Sequence, residues 1–217
     1  DVENWWLPLC ANSIVLEVQQ GIWQFNHSKI QDGLLLSLTP SEQQTIHQEV
    51  AEAVERQFGD DASRTLQLAY HWRNAKNHHK ELHYTVLAME ETLSRYANAE
   101  AFMLVDRAIE LAPADAYELR FNLLSQREQL YSITGQPDQR RADLEELNQL
   151  IAYLDDAQAK ALVVYRQGVY AYDTSQYGEA LTYAEELEQL LTSTSSEKTR
   201  LNAKILFGRA CFRLGRY

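Results

Sequence analysis

The chain has 217 residues, 45% of them apolar and 24% charged, with a formal net charge of −11. Eight Gly and four Pro are too few for a sandwich of tightly turned strands, and no window of about 18 uncharged apolar residues offers a membrane span. An acidic chain without a block of basic residues is a poor ligand for nucleic-acid phosphates or an anionic membrane surface. Its two distant cysteines, Cys10 and Cys211, make neither a zinc module nor a disulfide scaffold and point to a reducing, cytoplasmic setting.

In chain order, the first pattern has period two. Ile14, Leu16 and Val18 alternate with Val15, Glu17 and Gln19, Gln20-Gly21 supplies a turn, and Trp23 and Phe25 share a face of Ile22–Phe25. This predicts a β-hairpin, which must pack on something to persist in water. A helix over about 27–38 follows, with Ile30, Leu34, Leu35 and Leu38 as its apolar surface. Thr39-Pro40-Ser41-Glu42 then opens a helix with Thr as N-cap, Pro in the first turn and Glu closing a capping box. Ile46, Val50, Val54 and Phe58 run along it to Gly59.

Further helices are predicted over about 63–75, with Leu66, Ala69 and Trp72, and about 79–96, with Leu82, Val86, Met89 and Leu93. The next, over about 98–112, carries Ala101, Leu104, Val105, Ala108 and Leu111 and is stopped by Pro113. Others fall near 116–134, 138–154, 157–173, 176–192 and 196–214. Connections this short imply antiparallel neighbours.

Within this series the stretch from Tyr165 to Tyr177 repeats as Ile205 to Tyr217, aligning Gly168 with Gly208, Tyr172 with Phe212 and Tyr177 with Tyr217. A small residue lets two helices approach closely, and the large ones a turn later fill the groove beside it. The pattern resembles the tetratricopeptide repeat, a helix-turn-helix unit; Ala101, Ala108 and Pro113 fit a second copy, and Glu128 stands where a small residue belongs in a third. That resemblance implies an all-α, right-handed superhelix of antiparallel helix pairs over 39–217, with a second helix expected beyond Tyr217. Phe25, His27 and Ile30, followed by Ile46-His47, His71-Trp72 and Tyr96-Ala97, are similar to the junction between winged-helix segment and helical repeats in STAND-type signalling ATPases, among them cyclase-linked and LuxR-like bacterial regulators. That likeness makes 1–38 the end of a winged-helix-like segment, its β-hairpin a winged-helix remnant, and implies a nucleotide-binding domain before Asp1.

The chain carries no GxxxxGK[ST], GxGxxG or GxSxG motif, so neither catalysis nor a cofactor is expected. His79 and His83 share a helical face but have no third ligand, and no metal is expected there. The resemblance instead makes the first helix of each pair line a concave groove. Its residues would be Asn122, Gln126 and Gln129, then Tyr165, Arg166, Val169 and Tyr172, then Asn202, Arg209, Phe212 and Arg213. Tyr and Arg suit a protein or peptide partner, and Arg166, Arg209 and Arg213 suit a carboxylate. The same residues equally suit packing between repeats and solvated guanidiniums. The expected function is a non-catalytic interaction or sensor arm of a larger regulator, binding a peptide or small effector, with self-association through the repeat ends as a further option. A stand-alone scaffold and the sensor region of a LuxR-like transcription regulator are the alternatives.

Overall fold

The computed structural model describes residues 15–19, 22–25, 27–59, 62–191 and 196–216. Contacts divide the chain into two compact units, one up to Glu81 and one from Leu82.

Unit 1 contains strands β1 (Val15–Gln19) and β2 (Ile22–Phe25) and helices α1 (Ser28–Ser37), α2 (Pro40–Phe58) and α3 (Thr65–Asn74). Helix α4 (His78–Ser94) starts here and continues into unit 2. The capping box at the head of α2 is formed: Thr39 Oγ1 accepts from the Glu42 amide at 3.3 Å, and Glu42 Oε2 accepts from the Thr39 amide at 2.8 Å. Ala51, Leu68 and Trp72 make the α2–α3 core. The Trp72 indole donates to Glu55 at 2.9 Å, and Lys80 holds both Glu55 oxygens at 3.0 and 3.1 Å. The expected apolar stripe of α2 is only partly covered, since Ile46 and Phe58 are exposed. A strict step of four drifts about 40° around a helix each time, so the two ends of such a stripe leave the buried face.

The fold class needs one correction: the architecture is all-α, and the two short N-terminal strands do not make the β-hairpin layer expected as a winged-helix remnant. β1 and β2 run antiparallel, but over nine residues and with a register irregularity between Glu17 and Gln19. No third strand joins them among the described residues, and a ladder of that size is not a stable layer in water. The expected turn, Gln20-Gly21, and the side chains of Trp23 and Phe25 lie outside the described residues, as do Cys10 and Tyr217.

Unit 2 continues with α5 (Asn98–Leu111), α6 (Tyr117–Thr134), α7 (Pro137–Leu150), α8 (Ala157–Asp173), α9 (Tyr177–Leu190) and α10 (Glu197–Arg213). Long and short helices alternate. α4, α6, α8 and α10 have 17, 18, 17 and 17 residues, while α5, α7 and α9 have 14 each. The long helices begin at His78, Tyr117, Ala157 and Glu197, a nearly constant step. The turn after each long helix has one geometry. A left-handed residue (Tyr96, Gly135, Ser175 or Gly215, φ 59 to 71°) is followed by an amide that reaches back five residues, as Gln176 does to the Ala171 carbonyl at 2.8 Å. This is the Schellman closure, which reverses the chain within a few residues. Lys76, φ 57°, closes α3 the same way.

The core follows the same period. Met89, Val105 and Leu123 join α4, α5 and α6; Leu124, Leu147 and Val163 join α6, α7 and α8; Val164, Leu187 and Ala203 join α8, α9 and α10. Each helix therefore buries its apolar face on helices next to it or next but one in the chain, the energetic signature of a stacked array.

Candidate functional site

The repeat sets residues of α6, α8 and α10 in equivalent positions, as Glu128, Gly168 and Gly208 are. Gly168 shows what this position does. A Cβ built there would lie 2.5 Å from a Leu206 methyl and 3.1 Å from the Tyr183 Cβ, so a bare backbone lets α9 and α10 close on α8. One step earlier the position is Glu128, with a side chain only 2% exposed. The residue equivalent to Leu206 is Arg166, and Arg166 binds Glu128. A glycine–leucine contact in one step is thus a glutamate–arginine contact in the other.

Two guanidiniums share the Glu128 carboxylate. Arg140 donates from Nε to Oε1 at 2.7 Å, and Arg166 Nη1 reaches Oε2. Arg140 extends the chain to Asp173 at 2.9 Å, and Arg166 also donates to the Ser125 carbonyl at 2.6 Å. Beside this network Arg127 grips Asp143 with two bonds of 2.7 and 3.0 Å and Asp106 with one of 2.9 Å. Burial works against the Arg127 charge, but the Asp143 and Asp106 carboxylates outweigh it and raise its pKa. The Ser125 hydroxyl is buried among these groups without a hydrogen-bond partner.

The expected groove residues separate into three groups. Asn122 and Gln129 are exposed and Gln126 half-buried on α6, with Tyr165 and Val169 half-buried on α8 and Asn202 half-buried on α10. Asn122 lies in an open cleft of about 540 Å³ that Glu118, Leu162, Asp156 and Thr199 also line. Arg166 belongs to a second group, because its carboxylate partner is internal. It pins α8 to α6.

The third group sits near the end of α10. The Arg209 guanidinium stacks 4.2 Å over the Tyr172 ring, and Arg213 lies 4.6 Å over Tyr177 and bonds its hydroxyl. The Tyr172 and Tyr177 rings meet edge-on at 5.4 Å. Phe212 is 66% exposed and turns into a different groove, between α9 and α10.

The buried ionic network escapes a reading of sequence patterns. Its one signal is Glu128 in a small-residue position, with arginines 12 and 38 residues further on. Among the described residues no cluster of three or more His, Cys, Asp or Glu is placed to hold a metal, and no helix is long and apolar enough to cross a membrane. His79 and His83 are exposed. In unit 1, His47 and His71 face each other with Nδ1 atoms 3.0 Å apart, and burial lowers both pKa values, that of His71 further through His47.

What these features define is a helical protein in which a two-helix unit recurs at a nearly constant step. No family model matches the chain, and no curated protein matches it.

Proposed function

We propose that unit 2 is a non-catalytic interaction module of the tetratricopeptide kind, and that it serves as the partner-binding arm of a larger signalling regulator. The observation that supports this most is the regular recurrence of long and short helices, which sets Asn122, Leu162 and Asn202 in one row of equivalent positions and Gln129, Val169 and Arg209 in another. Asn122, Gln129 and Arg209 offer exposed hydrogen-bonding groups, while Tyr165 and Tyr172 offer half-buried aromatic area of the type that dominates binding energy. The ring beneath Arg209 limits the rotamers of the guanidinium, so less freedom is lost when it meets an acceptor. The occupant is a peptide segment.

The test is to pan a displayed random-peptide library against the 217-residue chain and to measure recovered peptides by calorimetry. Asn122→Ala, Tyr165→Ala and Arg209→Ala should each weaken binding about tenfold, as truncation of an interface anchor does. Recovered peptides that bind all three variants as tightly as the parent would refute the assignment of this surface.

A further inference from the structure

Unit 1 holds two imidazoles whose nitrogens converge. His47 on α2 and His71 on α3 place their Nδ1 atoms 3.0 Å apart. Neutral rings at this distance share one proton in an N–H···N bond. The same spacing suits a second occupant. Two nitrogens bound at about 2.0–2.1 Å to one cation stand about 2.9–3.4 Å apart, for angles from square-planar to tetrahedral. The rings are inclined by 46° with centroids 5.1 Å apart, so small turns about χ2 aim both lone pairs at a point beside the line between the nitrogens.

The surroundings hold the two rings in place. Ala51, one turn after His47, and Leu68 and Trp72, near His71 on α3, are buried in the α2–α3 core. Gln44, one turn before His47, donates to the carbonyl of Ala75, one turn after His71, at 3.0 Å. That bond ties the two helices at the level of the pair. Tyr70 meets both rings edge-on, with centroids 5.6 Å from His47 and 5.3 Å from His71. Both histidines are half-buried, so their side chains are already ordered while water still reaches them.

We infer that His47 and His71 form a two-histidine site for a divalent cation of the zinc and copper class, with water in the remaining positions. Imidazole suits these metals, whereas Mg²⁺ and Ca²⁺ prefer oxygen donors. The cation staples α2 to α3. It therefore binds the folded unit better than the unfolded chain, in which the two histidines lie 24 residues apart. His79 and His83 supply the contrast, since both are exposed and stand one turn apart on α4 alone. A cation there joins nothing that the helix does not already join. The site lies in unit 1, and it stands or falls independently of peptide binding by unit 2.

Zn²⁺ is the probe, titrated by calorimetry into the 217-residue chain in a non-chelating buffer, with thermal melts alongside. One Zn²⁺ per chain should bind, and saturating Zn²⁺ should raise the melting temperature by several degrees. Mg²⁺ should do neither. His47→Gln and His71→Gln should each weaken binding at least tenfold, since losing a group that merely orients a ligand already costs about ten- to a hundredfold. Each should also remove the rise in melting temperature. The double variant His79→Gln/His83→Gln should bind Zn²⁺ as the parent does. In that double variant, electron paramagnetic resonance of bound Cu²⁺ should show coupling to two imidazole nitrogens, a reading that does not depend on how the single variants fold. No saturable Zn²⁺ binding up to millimolar metal would overturn the inference. So would Zn²⁺ binding that survives both single substitutions, Zn²⁺ binding that the double variant abolishes, or coupling to fewer than two nitrogens.

Discussion

Replacing Glu128 by leucine tests the ionic network at its centre. The carboxylate is 2% exposed and is shared by Arg140 and Arg166, whose own side chains are 6% and 17% exposed. Breaking a buried ion pair by removing one partner costs about 3–5 kcal/mol, because the other charge stays buried. Here each orphaned arginine keeps one acceptor, Asp173 for Arg140 and the Ser125 carbonyl for Arg166, which places the expected loss at the lower end, about 3 kcal/mol. An unfolding entropy of about 2.1 cal/mol/K per residue, taken over residues 82–217, gives about 0.3 kcal/mol/K. The melting temperature should therefore fall by about 10 °C. Glu128→Gln, which keeps one acceptor oxygen, should lose about half as much. Asp173→Asn, at the exposed end of the chain of bonds, should lose under about 1 kcal/mol. Urea unfolding followed by circular dichroism measures all three. A Glu128→Leu loss below about 1 kcal/mol would refute the claim that the network is closed and desolvated.

The two repeat glycines should respond in opposite directions to alanine. Gly208→Ala gains about 0.5–1 kcal/mol from helix propensity, while Gly168→Ala loses about 1–2 kcal/mol through overpacking against Leu206 and Tyr183; equal responses in urea unfolding would remove the close-approach argument. The His47–His71 contact should make unit 1 acid-sensitive. Both folded pKa values lie below the unfolded value of 6.5, so the unfolded state takes up more protons as pH falls, and the stability present above 6.5 is lost below it. Melts between pH 7.5 and 5 should show this decline, and His71→Gln should flatten it; an identical slope in the variant would exclude the pair as its source.

Much of the helical framework is legible in the sequence because its causes are local. Thr39-Pro40-Ser41-Glu42 forms its capping box unaided, and the aligned Gly168 and Gly208 give a step that recurs in the helix starts. What the sequence conceals depends on partners far along the chain. Arg166 reads as a groove cation, yet its acceptors on α6 lie 38 and 41 residues earlier. Ser125 and Leu206 occupy groove-like spacing and are buried. The alternation around Val15–Gln19 and Ile22–Phe25 misleads as to a hairpin, because a period of two does not supply the further strands that a sheet needs.

The left-handed turns bear on how this sequence can change over generations. Lys76, Tyr96 and Ser175 hold a conformation that a side chain disfavours by about 1 kcal/mol, while Gly135 and Gly215 fill the same role without that burden. All three of the first group are exposed, so glycine could enter each of them without disturbing a packed neighbour. The array thus keeps a reserve of stability that drift can reach at its turns. Destabilising substitutions elsewhere on the helices can be absorbed there, leaving the exposed faces free to diversify while the stack persists.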